Sequence, residues 1–233
     1  MPTNKDKFVR NVFSIVAPHV DPLSTAFSFG LCHSWRRTLV SLAGVKSDDK
    51  VLDVCSGTGE VAVLLMKEIG EGGSVTGVDF CEDMLAIAKE KIGPQKNLSL
   101  VVANAKEMSF RDSSFDLVTV AFGMRNIPDT AAAIREIKRV LKPGGRFLTL
   151  ELTKPIKKWF VPIYRWYVFK VIPFVGKVIT KNVLPYSYLP VSIETYYSPD
   201  EYKTIIRECG FSQIEVHPLS LGIATIYSAV KSE

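Results

Sequence analysis

The stretch Val51-Leu52-Asp53-Val54-Cys55-Ser56-Gly57-Thr58-Gly59-Glu60 runs from a short apolar segment into a glycine-rich turn bracketed by two carboxylates. Glycines such as Gly57 and Gly59 let the backbone turn sharply and approach a ligand closely, as in the first strand-to-helix turn of nucleotide-binding sheets. A further acid, Asp79, closes the next apolar run, where such sheets hold a ribose diol. Asn104-Ala105 follows the third run, where an adenine amino group would be met.

Charge decides which nucleotide suits the turn. A pyrophosphate would face Asp53 and Glu60 across an incompletely screened distance, whereas a sulfonium and an ammonium would be attracted to them. Gly57, Gly59 and Ala62 are also only a partial match to GxGxxG. The residues therefore read as an S-adenosylmethionine site rather than a nicotinamide or flavin site. An isolated GTG would be no more than a tight turn, but three strand ends converging on one nucleoside argue for a ligand.

Such a site needs a parallel sheet behind it, and the middle of the chain alternates short β-branched runs with helix-patterned segments, the pattern of βαβ units. Strands are expected from Lys50 to Val54, Ser74 to Val78, Leu98 to Val102, Phe115 to Ala121 and Arg146 to Glu151, with helices between. Val61, Leu64, Leu65 and Ile69 share one helical face, and Ile134, Ile137 and Leu141 mark another helix, closed by Pro143-Gly144-Gly145. Ser198-Pro199-Asp200-Glu201 carries a capping-box pattern with proline at the first helical position. Two closing strands, 211–217 and 223–230, bring the sheet to seven strands, mostly parallel. The expected class is α/β and Rossmann-like.

The 233 residues suit a single domain. Its parts are a helical N-terminal lid (1–45), a cofactor-binding core (46–151), an aromatic-rich lid or substrate insertion (152–197), and a closing helix and strand pair (198–233). Cys32, Cys55, Cys81 and Cys209 form no CxxC pair and have no histidine cluster beside them, so they read as reduced thiols of a cytoplasmic protein with no metal site. The stretch MPTNKDKFVRNVF lacks the pattern of a secretory signal, and no run of about 18 apolar residues suggests a spanning helix. With 29 basic and 24 acidic residues the chain is only mildly basic. No basic stripe accompanies the nucleotide-binding half, which disfavours a nucleic-acid substrate.

VLDVCSGTGE, VTGVDFCEDML, NAKEMSFRDSSFD, FGMRNIPD and LKPGGRFLTLE resemble, in order, the motifs of the ubiquinone/menaquinone biosynthesis C-methyltransferase family. The segments FVRNVFSIVAPHVDPLSTAFSFGLCHSWRR and LPYSYLPVSI extend the resemblance over nearly the whole chain, and Phe122 to Asn126 is its most specific part. The resemblance implies a class I S-adenosylmethionine-dependent methyltransferase that C-methylates a polyprenylated quinol, demethylmenaquinol or its ubiquinone-pathway counterpart. It implies cofactor contacts from Thr58, Asp79, Asn104 and Ala105. The family usually has tyrosine where Val20 stands, so no tyrosine is there to assist a proton transfer, and GGTGD where this chain has SGTGE, which keeps the charge.

Methylating a ring carbon requires that the neighbouring phenol begin to lose its proton, which a base or water relay and a stabiliser of the phenolate assist. Arg125 and Asn126, just after the fourth strand, are candidates for the stabiliser and for a clamp on a quinol oxygen. Asp21 is a candidate base or relay, although Asp-Pro pairs often start turns. His19, His33 and His217 stand alone in sequence and read as surface or lid residues. The same cofactor residues would serve a methyltransferase acting on another small or lipid-like acceptor, or a non-catalytic protein that binds the cofactor.

Residues 153 to 193 hold seven basic residues and no acidic one, leaving the rest of the chain net negative. Interleaved aromatics, among them Trp159, Phe160, Trp166 and Phe174, complete a composition suited to a lipid headgroup interface. The segment is expected to touch anionic membrane reversibly, at the inner face.

Overall fold

The computed structural model describes residues 4–232. One sheet carries β1 (Lys50–Val54), β2 (Ser74–Asp79), β3 (Leu98–Val102), β4 (Phe115–Ala121), β5 (Leu141–Leu152), β6 (Phe211–Leu219) and β7 (Ala224–Lys231). Their order is β3-β2-β1-β4-β5-β7-β6, with β7 antiparallel to both of its neighbours and the remaining pairings parallel. The order reverses between β1 and β4, and the crevice beyond the carboxyl ends of these two strands is where open sheets of this kind bind ligands.

Alternate strand residues point to opposite faces, and both faces are covered. Leu52, Val54, Val118 and Val120 pack with α6 (Thr130–Val140) and α10 (Pro199–Glu208) through Ile134, Ile137, Tyr202 and Ile206. Val51, Leu117, Leu148 and Leu150 face α3 (Leu31–Ala43) and α4 (Glu60–Glu68), meeting Trp35, Leu39, Val61 and Leu65. The expected capping box opens α10: Ser198 Oγ accepts from Glu201 N while the Glu201 carboxylate accepts from Ser198 N.

One boundary differs from the sequence reading. The helix ends at Val140 and Pro143-Gly144-Gly145 lies inside β5, which begins at Leu141. Phe115 pairs with Leu141 and Leu117 with Arg146, so the intervening residues bulge out of the ladder. Leu141 is fully buried, and extending the chain there seats its side chain in the core while Gly144 takes the left-handed conformation the bulge needs.

Both segments outside the βα alternation are helical. α1 (Asn4–Val16), α2 (Val20–Phe27) and α3 form the first; α7 (Val161–Trp166), a π turn (Tyr167–Val171), α8 (Ile172–Thr180) and α9 (Leu184–Glu194) form the second. In the π turn, Ile172 N reaches back to Tyr167 O just ahead of Pro173, which has no N–H to give. Gly176 lets α8 lie against α9, because a Cβ there would stand 2.2 Å from the Tyr186 ring. Val16, Leu23, Met84, Tyr164, Val168, Ile172 and Tyr186 join the two segments into one apolar cluster with α5 (Glu82–Ile92). It roofs the crevice.

Candidate active site

The glycine turn forms as its sequence suggests. Past β1, Cys55, Gly57 and Gly59 are left-handed, and Ser56 N donates to Val78 O at 2.9 Å, tying the turn to β2. Asp79, the last residue of β2, is buried. Its Oδ2 accepts from Gly57 N and its Oδ1 from Cys81 N, each at 2.9 Å. Burial raises its pKa against the pull of those bonds.

Beside the turn lies a cavity of about 650 Å³, within the range of small-molecule sites. Asp53, 1% exposed, lines it. Thr119 Oγ1 donates to Asp53 Oδ1 at 2.8 Å, whereas Asp53 Oδ2 and Ser56 Oγ have no hydrogen-bond partner among the described residues. Burial pushes the Asp53 carboxyl up to about 6, opposed by the Thr119 bond and by the Ser56 hydroxyl, which lies near the carboxylate without meeting hydrogen-bond geometry. Buried polar groups are normally satisfied, so an orphaned carboxylate oxygen at a cavity wall calls for a ligand donor or cation. Four carboxylates, of Asp21, Asp53, Glu60 and Asp79, line this end. Lys91 pairs with Asp21 and Glu60, and Arg36, also in the wall, lies 3.7 Å from Glu60, which leaves Asp53 and Asp79 without a cationic partner among the described residues. Two such carboxylates suit S-adenosylmethionine, a cationic nucleoside with a ribose diol, better than a pyrophosphate.

Asn104 and Ala105 lie elsewhere. Asn104 is exposed, its Oδ1 taken by Lys106 N at 3.0 Å, and Ala105 is buried in the core; neither lines the cavity. Gly59 shapes the turn from behind, where a Cβ would meet Ile92 Cδ1 at 2.6 Å.

Beside the glycine turn, where β4 lies next to β1, Met124–Asn126 form a 3₁₀ turn after β4. Arg125 N donates to Glu151 Oε2 at 3.1 Å, its Nη1 to Phe122 O at 2.7 Å and to Glu151 Oε1, and its Nε to Ser192 Oγ at 3.4 Å. Glu151 is completely buried, so Arg125 is the counter-ion of a structural carboxylate as well as part of the cavity wall. Asn126 Nδ2 donates to Phe122 O and its Oδ1 accepts from Tyr188 Oη, both at 3.1 Å. Asp21 meets the glycine turn: its carboxylate accepts from Thr58 Oγ1 at 2.7 Å and from Lys91 Nζ at 2.9 Å, and Lys91 also reaches Glu60 at 2.7 Å. The two bonds to Asp21 latch α2 onto the turn and onto α5.

Glu151, Lys91, Tyr188 and Ser192 are absent from the sequence-derived candidates. Glu151 left a signal as a carboxylate inside an otherwise apolar strand, and Tyr188 and Ser192 lie within LPYSYLPVSI, a segment that carries the family resemblance without marking either residue. His33 Nε2 lies 2.9 Å from Thr25 Oγ1, and no histidine lines the cavity. Among the described residues no cluster of metal-ligating side chains occurs and all four cysteines are free.

Away from the carboxylates the cavity is walled by apolar side chains from both roof segments, including Leu23, Phe27, Val168 and Ile172. Three residues that line it, Phe29, Ile163 and Trp166, are also strongly exposed, so they mark its mouth.

The profile of the ubiE/COQ5 methyltransferase family matches residues 1–231. A demethylmenaquinone methyltransferase of Staphylococcus aureus is 37% identical over 230 residues, 99% of this chain and 95% of that protein. Among solved structures, the putative methyltransferase in complex with the Trm112 methyltransferase activator of Haloferax volcanii aligns with a TM-score of 0.69 at 18% identity, covering 95% of this chain and 98% of that one. A SAM-dependent methyltransferase from Aquifex aeolicus gives a TM-score of 0.62 at 22% identity, over 84% and 88% of the two chains. At these identities the structural likeness concerns the fold.

Proposed function

The chain belongs to the ubiE/COQ5 methyltransferase family, and from that premise we propose that it transfers a methyl group from S-adenosylmethionine to a ring carbon of a polyprenylated quinol, demethylmenaquinol by its similarity to the Staphylococcus aureus enzyme. The observation that carries this reading is one cavity with two characters: the cation-free carboxylates of Asp53 and Asp79 at the glycine turn, and apolar walls leading to an exposed mouth. The first suits a cationic nucleoside and the second a long hydrocarbon tail.

Bound at the turn, S-adenosylmethionine supplies an electrophilic methyl group on a sulfonium. Asp79 is placed to accept from a ribose diol, and the free Oδ2 of Asp53 to meet a positively charged part of the ligand. Asp21, through Thr58 and Lys91, holds α2 over the turn. Arg125 and Asn126 stand where polar groups can meet a quinol oxygen as it gives up its proton to water. Arg125 Nη2 and one Nδ2 hydrogen of Asn126 are the donors left for it. Alignment and charge placement of this kind are what a protein contributes to such a displacement.

The mouth gives the reading a setting. Trp159, Trp166 and Phe174 are 63–69% exposed, Ile163, Val178 and Ile179 lie open with them, and this stretch holds the basic residues noted above. Apolar side chains of this size, interspersed with lysines, suit reversible seating on an anionic bilayer, from which a prenylated ring could enter directly. No helix among the described residues is long and apolar enough to cross a membrane. Incubation with S-adenosylmethionine and a panel of demethylated naphthoquinols and benzoquinols, read by mass spectrometry of the extracted lipid, tests the substrate. Cofactor binding without methylation of any of them would overturn the reading.

A further inference from the structure

We propose that Tyr188 is a positioning residue for methyl transfer, acting through Asn126, with Ser192 one turn along α9 steadying Arg125 in the same way. The inference rests on the reading that Arg125 and Asn126 face the acceptor.

An asparagine amide can be turned either way, and its partners decide which end it presents. Here the Phe122 carbonyl can only accept, so it selects the Nδ2 end, and the Tyr188 hydroxyl donates to Oδ1 at 3.1 Å. Together they fix the amide so that its unused donor is an Nδ2 hydrogen. Removing the phenol oxygen leaves one of these two restraints. Burial raises the Tyr188 pKa, which keeps the group a neutral donor. Its ring is held independently of the hydroxyl, edge-on to Phe8 with centroids 5.6 Å apart.

Ser192 does the same for Arg125. Its hydroxyl donates to Leu189 O at 2.7 Å, which turns the oxygen lone pairs toward Arg125 Nε at 3.4 Å. Glu151 holds the other edge of the guanidinium and the backbone N–H of Arg125. The 3₁₀ turn is thus clamped between β5 and α9, and only α9 supplies neutral hydroxyls that can be removed without stranding a buried charge.

Tyr188→Phe deletes one oxygen and keeps the ring and its contact with Phe8. We expect kcat to fall about tenfold, the scale of one misaligned hydrogen bond in the transition state, while the S-adenosylmethionine Kd and the quinol KM stay within about twofold of the parent. In an Asn126→Ala background the same change should lower kcat by less than about twofold, because the amide through which it acts is gone. Parental kcat in Tyr188→Phe would overturn the proposal, as would an equal loss in both backgrounds, which would mean that the hydroxyl touches the acceptor itself. Asn126→Ala turning over at the parental rate would sink the assignment of Asn126 and this inference with it. Failure to methylate any quinol would instead overturn the substrate reading, so the two failures are distinguishable.

Discussion

Replacing Asp53 with asparagine separates what this carboxylate imposes on the fold from what it gives the site. The group is buried, keeps one hydrogen bond from Thr119 and leaves Oδ2 unpaired. Burial raises its pKa from an ordinary 3.8 to about 6. A carboxyl that holds its proton more tightly in the fold than in the unfolded chain lowers stability as pH rises from the unfolded value through the folded one. Above about pH 6 the penalty is fully present, and the difference corresponds to about 3 kcal/mol. Asparagine is neutral at all pH values and still accepts from Thr119. Without cofactor, Asp53→Asn should therefore be more stable than the parent at pH 8 by up to about 3 kcal/mol, with the gap closing below about pH 4. Binding should change in the opposite sense. Losing a charge-assisted contact of about 1.5–3 kcal/mol weakens S-adenosylmethionine roughly ten- to hundredfold. Urea unfolding at pH 5 and pH 8, with calorimetric titration of the cofactor, reads both. A variant less stable than the parent at pH 8, with cofactor affinity unchanged, would refute the reasoning.

Asp79→Ala should weaken S-adenosylmethionine by about 3–6 kcal/mol, the sum of two ribose hydroxyl bonds to a charged acceptor; unchanged calorimetric affinity in a folded variant would contradict the assignment. Arg125→Ala strands the buried Glu151 carboxylate, so a stability loss of about 3–5 kcal/mol should accompany the lost turnover, while Arg125→Lys keeps the charge and most of the stability; equal denaturation midpoints for all three proteins would argue against the pair. Binding to anionic vesicles should fall when Lys157, Lys158 and Lys170 are changed to glutamate, and fall with salt, since exposed charges are screened within about 8 Å at physiological ionic strength. Co-sedimentation that is equal for neutral and anionic vesicles would leave this segment as a roof only.

Much of this arrangement was legible because it is local. The β-branched runs, the glycine turn, Asp79 at a strand end and the Ser198 capping box each announce themselves within a few residues, and the structure has all of them. What stayed hidden depends on distant pairing. Arg125 meets Glu151 only because β4 and β5 lie side by side, a register no short window reveals. Asp21 meets Thr58 because the apolar cluster of the two roof segments seats α2 over the crevice. Asn104 follows β3, the edge strand of the sheet, so its side chain bonds within its own turn rather than reaching the cavity. At Leu141 a helical spacing was overridden by burial in the strand that follows.

The proposed function requires one cavity that brings a cationic methyl donor to the ring carbon of a prenylated quinol. Its most direct test supplies methyl-labelled S-adenosylmethionine and demethylmenaquinol in anionic vesicles, in parallel with the same lipid kept as the oxidised quinone, and locates the label by fragmentation mass spectrometry. Label is expected on the ring carbon, with the quinol and not the quinone as acceptor, and is expected to be lost in the Asp79→Ala variant. Label on a quinol oxygen, or equal labelling of the quinone, would contradict the proposed function.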